Sequence, residues 1–129
     1  MDILLLPTAT VAGTNATDDV YTHNPYPEGI LVTNIDLLPN TSVATHANNY
    51  ITTTVKNAAG DTLASHTTNS SGGSALTAGT VLNMTISGTT KQCEVAAGGV
   101  MRIQVAKAGT GPAYEHTVIV RANKRRGGV

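Results

Sequence analysis

Apolar and polar residues alternate with a period of two through most of the second half of the chain, and each alternating run closes at a glycine turn. Tyr50–Lys56, Thr62–His66, Val81–Ser87, Val100–Ala106 and His116–Arg121 read as strands. Between them lie Asn57-Ala58-Ala59-Gly60-Asp61, Ser71-Gly72-Gly73-Ser74, Ala97-Gly98-Gly99 and Gly109-Thr110-Gly111-Pro112. Successive side chains of a strand point to opposite faces, so the pattern sorts each run into an inner and an outer set. Ile51, Thr53 and Val55 oppose Thr52, Thr54 and Lys56; Leu82, Met84 and Ile86 oppose Val81, Asn83, Thr85 and Ser87. Met101, Ile103 and Val105 oppose Arg102, Gln104 and Ala106, and His116 shares a face with Val118 and Val120. Gln92–Val95 predicts a further short strand. Short strands at roughly 8–12-residue spacing, with turn signals between them, predict an all-β fold: a single antiparallel β-sandwich, jelly-roll-like. No segment sustains a 3.6-residue apolar period, so little helix is expected beyond one turn around Val43–His46.

The first 28 residues lack this regularity. The run Ile3-Leu4-Leu5-Leu6 is followed by Pro7, a polar stretch Thr8–Asp19, and Tyr21-Thr22-His23-Asn24-Pro25-Tyr26-Pro27. Prolines favour extended backbone and exclude a central strand. The pattern therefore predicts an extended N-terminal arm over residues 1–28, with at most one short edge strand. A poorly patterned first sandwich strand is the competing reading. The sandwich itself is expected over residues 29–123, opening with Gly29–Leu38, and residues 124–129 form a basic, glycine-rich flexible tail.

At 129 residues, the chain fits one domain able to bury on the order of two-thirds of its unfolded surface. Apolar residues make up 40%, but Phe and Trp are absent and Tyr occurs four times, so the core must be aliphatic. Lacking large aromatic anchors, an isolated protomer is expected to be modestly stable, with assembly into a trimer or dimer supplying the rest. Eight Lys+Arg balance eight Asp+Glu. A neutral, Thr-rich surface can meet a partner with little charge desolvation, and makes nucleic acid an unlikely ligand.

No site chemistry emerges from the residue inventory. Cys93 stands alone between Gln92 and Glu94, which excludes an internal disulfide and paired-cysteine zinc, and no nearby base activates it. His23, His46, His66 and His116 are scattered, and Asp18-Asp19 lacks the carboxylate density of a calcium loop. Gly109-Thr110-Gly111 precedes no helix and reads as a β-turn rather than a phosphate cradle. We expect no enzyme activity, no metal and no cofactor. The Asn-x-Ser/Thr triplets at Asn15, Asn40, Asn69 and Asn83 read as chance in a Thr/Asn-rich chain. No apolar run is long enough for a membrane span or signal core, which predicts no membrane partner and synthesis in a host cytoplasm.

The stretch from Asn48 to Arg121 resembles small β-sandwich virion proteins of tailed bacteriophages, of the head-decoration or capsid-cement type. The resemblance rests on Asn49-Tyr50-Ile51-Thr52, Val55-Lys56-Asn57-Ala58-Ala59-Gly60, Leu63-Ala64, Val95-Ala96-Ala97-Gly98 and Lys107-Ala108-Gly109-Thr110-Gly111, in that order. Similar proteins often carry an acidic residue where this chain has Gly99. The resemblance implies a non-enzymatic structural protein on the capsid surface of a virion, with the major capsid protein as partner. The residues expected to meet that partner are Ile3, Leu4, Leu5 and Leu6 of the arm and Lys124, Arg125 and Arg126 of the tail. The alternative is a receptor- or glycan-binding module of a tail or head fibre, whose site would combine the Tyr21–Tyr26 and Thr67–Ser74 loops, with Tyr21 and Tyr26 as aromatic contacts.

Overall fold

The computed structural model describes residues 2–5, 8–11, 17–110 and 114–124. The strands in chain order are β1 (Asp2–Leu5), β2 (Thr8–Val11), β3 (Thr17–His23), β4 (Ile30–Pro39), β5 (Ile51–Lys56), β6 (Thr62–Thr67), β7 (Leu82–Met84), β8 (Glu94–Val95), β9 (Val100–Lys107) and β10 (Tyr114–Lys124). A single 3₁₀ turn, Thr90–Cys93, is the one helical element among the described residues. All strand pairs are antiparallel and form two sheets. Sheet I runs β1-β10-β4-β7, with β2 also on β10 and β8 also on β4; sheet II runs β3-β9-β5-β6.

Counting β1 with β2 as the first strand and β7 with β8 as the sixth, the sheets read 1-8-3-6 and 2-7-4-5. That is the order of a jelly roll, two sheets built from interleaved Greek keys. The all-β sandwich expected from the alternation is therefore the fold.

The core lies between the sheets and is aliphatic, as the absence of Phe and Trp demands. Ile30, Ile35, Leu37, Val118 and Val120 of sheet I are buried with Ile51, Val55, Leu63, Met101, Ile103 and Val105 of sheet II. The inner sets read for β5 and β9 are the buried sets here, whereas of Leu82, Met84 and Ile86 only Met84 is fully buried. Polar groups enter the interior at the end of the sandwich where β4 stops and β5 starts. There Lys107 pairs with Ile51, Thr53 with Val105, and His116 with Pro39, all three buried.

The N-terminal arm is corrected in its described parts. β1 and β2 hold one register along β10, with Leu5 opposite Val120 and Thr8 opposite Thr117. Ile3 and Leu5 take positions opposite the buried Ala122 and Val120. β3 forms a full edge ladder on β9, from Thr17↔Ala106 to His23↔Val100. The sandwich thus starts at Asp2 rather than at residue 29. Pro7 misleads because a proline in the sequence signals a break, yet the described stretches on either side of it, β1 and β2, both pair with β10 at the edge of sheet I.

Two smaller expectations also change. Val43–His46 holds no helical turn; Val43 bridges Leu76 and His46 bridges Asn69. Cys93 ends the 3₁₀ turn rather than sitting within a strand. It is buried, its Sγ lies 3.6 Å from the Ser87 carbonyl, and burial pushes its thiol pKa up, as suits a packed thiol.

Candidate functional site

At the end of the sandwich where β5 stops and β9 starts, two adjoining cavities of about 480 Å³ and 290 Å³ form one cleft. They share Asn57, Ala58, Ala59 and Val100. The first wall is the β5–β6 turn, which Asn57 closes on itself. Its Oδ1 accepts from the Asp61 N–H at 2.9 Å, and its carbonyl accepts from Gly60 at 3.1 Å. Gly60 sits at φ 91°, the left-handed region that a side chain would strain. Asn57 Nδ2 also donates to the Gln92 carbonyl at 3.3 Å, tying this turn to the opposite wall.

That second wall is the segment from Thr89 to Ala96. Ser87 Oγ donates to Gln92 Oε1 at 2.6 Å, and the Gln92 N–H bonds the Thr89 carbonyl at 3.0 Å, fixing the 3₁₀ turn. The fully buried Asn24 holds the floor. Its Nδ2 donates to the Glu28, Val95 and Ala96 carbonyls at 2.8, 3.3 and 3.2 Å, while its backbone exchanges bonds with Gly98 and Gly99. The cleft is thus preformed by side-chain amides that satisfy loop backbone groups.

The walls combine apolar Ala58, Ala59, Val95 and Val100 with Asn57, Asp61, Gln92 and Glu94. Val100 is 40% exposed and Tyr21, at the mouth of the smaller cavity, is 63% exposed. Beside Tyr21, Arg102 Nε lies 3.9 Å from Asp19 Oδ1, with both side chains about a third exposed. Such a loose surface pair contributes little to stability and leaves both groups able to meet a ligand.

The outer face of sheet II runs into this cleft. Its register sets Thr17, Ala106, Thr52 and Thr67 in one row, then Asp19, Gln104, Thr54 and Ser65, then Tyr21, Arg102, Lys56 and Thr62. The first two rows carry one charge, Asp19, among eight residues. The result is a broad, hydroxyl-rich sheet face.

The residues singled out in the sequence scatter over this structure. Ile3, Leu4 and Leu5 are in β1, and Leu6 lies outside the described residues. Tyr21 stands at the cleft mouth, whereas Tyr26 is half-buried against the core. The two tyrosines therefore form no joint exposed platform. Nor do the Tyr21–Tyr26 and Thr67–Ser74 loops meet: Thr67 pairs with Thr52, while Tyr21 aligns through Arg102 with Lys56, at the other end of β5. Lys124 ends β10 opposite Ile30; Arg125 and Arg126 lie outside the described residues. Sequence reasoning missed the cleft residues Gln92, Glu94 and Val100, although the Asn57–Asp61 and Ala97–Gly99 turn signals mark its borders.

Among the described residues no three His, Cys, Asp or Glu side chains converge as metal ligands. No described helix is long and apolar enough to cross a membrane. No protein-family model matches the chain, and no curated protein matches it. Among solved structures, a chain from the structure of infectious bursal disease virus, Gx strain, is similar, at 8% identity and a TM-score of 0.49. The match covers 98% of this chain and 33% of that one, so the chain spans about a third of its length.

Proposed function

We propose that this chain is a non-enzymatic virion structural protein that binds the outside of a tailed-phage capsid and stabilises contacts between major capsid subunits. The observation that carries the reading is the outer face of sheet II, an open, hydroxyl-rich surface on a preformed jelly roll. Viral capsid domains share this fold class, as do lectins, so the fold supports the reading by analogy alone. The sequence resemblance to head-decoration proteins supplies the specific partner.

The mechanism is mass action. A protein that binds assembled shells and not free subunits stabilises the shell by an amount set by its concentration over Kd. Repetition over a symmetric lattice, or a trimer or dimer on each site, lets modest single contacts add up. No group has to be activated; the face has only to keep its hydroxyl-rich rows open and free of further charge.

Purified shells with and without the protein test this. Bound protein at hundreds of copies per particle, with a raised shell-disruption temperature, is the expected result. Thr54→Lys or Gln104→Glu, placing a charge in the middle of the face, should weaken shell binding at least about tenfold, the scale of 1.4 kcal/mol, with folding unchanged. Shell binding unaffected by both changes removes the face from the mechanism. A second reading, a glycan- or receptor-binding fibre module, is favoured by the exposed Tyr21 beside Arg102 at the cleft mouth. It expects a few copies at the tail and Tyr21-dependent binding to host-surface glycans.

A further inference from the structure

The cleft and the basic end of the chain lie within reach of each other. Lys124 pairs with Ile30 on β4, and Ile30 pairs on its other side with Val95, which lines the larger cavity. Two strand spacings, about 10 Å, therefore separate the start of the segment Arg125-Arg126-Gly127-Gly128-Val129 from the cleft wall. Five residues reach up to about 17 Å.

Charge points the same way. The larger cavity carries Glu94 and Asp61, whose Oδ2 accepts from Asn57 Nδ2 at 3.3 Å; no lysine or arginine is among the described residues that line it, and Arg102 lines the smaller cavity beside Tyr21. The chain is neutral as a whole, yet four of its eight basic residues, Arg121, Lys124, Arg125 and Arg126, fall within six positions. A guanidinium bonds a carboxylate through a planar fork, and its methylene stem lies well against apolar surface such as Ala58, Ala59 and Val100. Gly127 and Gly128 let the following backbone approach a wall closely.

We propose that the cleft is a binding site for an extended arginine-bearing segment, and that residues Arg125–Arg126 of the same chain occupy it. The tail is then a built-in ligand that covers Val100 and the Asn57–Asp61 turn and competes with any external peptide of like chemistry. This goes beyond the capsid reading and does not depend on it, since occupancy is read on the free protein without shells.

Amide NMR spectra of the full-length protein provide the test. Arg125→Gln together with Arg126→Gln should shift the amides of Ala58, Ala59, Gly60 and Val100. The wild-type positions should not change over a tenfold range of protein concentration. High salt should move the wild-type amides toward the variant positions, because contacts near the surface are screened within about 8 Å at physiological ionic strength. A synthetic peptide of residues 123–129 should bind the double variant and restore the shifts. Its affinity should fall about tenfold when Glu94→Gln is added, as for one charge-assisted hydrogen bond lost. Unperturbed cleft amides in the double variant overturn the proposal. So does a perturbation that grows with protein concentration, which makes a second copy the occupant.

Discussion

Sheet I and sheet II are built on different plans. Sheet II is four strands of six to eight residues; β5 and β9 alternate strictly between a buried and an outer side chain, β6 buries Leu63 and Ala64 side by side, and the edge strand β3 buries none fully. Sheet I has two long central strands, β4 of ten residues and β10 of eleven, flanked by edges that are each supplied in two short pieces. An unbroken edge strand is a template for pairing with another chain, and short, interrupted edges blunt it. Sheet I blunts its edges by splitting one into β1 and β2 and the other into β7 and β8, with the 3₁₀ turn between the latter two. The β3 edge of sheet II instead carries Asp18 and Asp19. The first sheet closes the fold; the second presents a face.

The sharpest way to break this contrast is to delete residues 1–7. If β1 is the edge of sheet I, four register positions on β10 lose their partners. At about 0.5–1.5 kcal/mol per hydrogen bond, plus the apolar surface uncovered, several kcal/mol go. Most of a typical margin of about 5–15 kcal/mol is then spent. Circular dichroism melts should show a collapsed or absent transition. A fully stable truncated protein would return the segment to the status of an arm.

Next in size is a centre-against-face comparison. Ile35→Ala in the buried centre of sheet I should cost about 2–5 kcal/mol in urea melts. Thr54→Ala on the outer face of sheet II should stay within about 0.5 kcal/mol. Equal effects would mean that the outer face is part of the stability of the monomer.

The third concerns pH. Burial holds the His116 imidazole at about 4, below its usual 6.5. The unfolded chain then binds the proton that the folded one refuses, so stability is full above about 6.5 and falls as pH drops toward 4. The loss approaches about 3 kcal/mol. Half-buried His66, also lowered by burial, acts in the same direction. Denaturant melts at pH 7 and pH 4.5 should show the drop, and His116→Leu should flatten it. The smallest effect is expected from Asp19→Asn, which removes the 3.9 Å pair with Arg102 for less than about 1 kcal/mol.

Sheet II was legible in the sequence because Ile51–Lys56 and Val100–Lys107 bury one face only, which writes a period of two into the chain. Sheet I was less so. Its β7 has three residues and its β8 two, too few for a period to register. β1 and β2 are split by a proline that normally signals a break. The cleft was half legible: turn residues mark both walls, but their meeting depends on the Asn57 and Asn24 side-chain bonds. Those bonds join positions tens of residues apart, and local sequence carries no sign of them.

The ladder between β1 and β10 has a consequence in time. Asp2 and Asn123 are separated by nearly the whole chain, so their pairing closes the longest loop among the described strand pairs. Loop-closure entropy must be met before such a contact gives anything back, which places jelly rolls among slow-folding topologies. On a ribosome the first strand emerges early and waits for the last. During that interval Ile3, Leu4 and Leu5 lack their β10 neighbours. The same segment that completes the finished sandwich is thus among the last to find its partner.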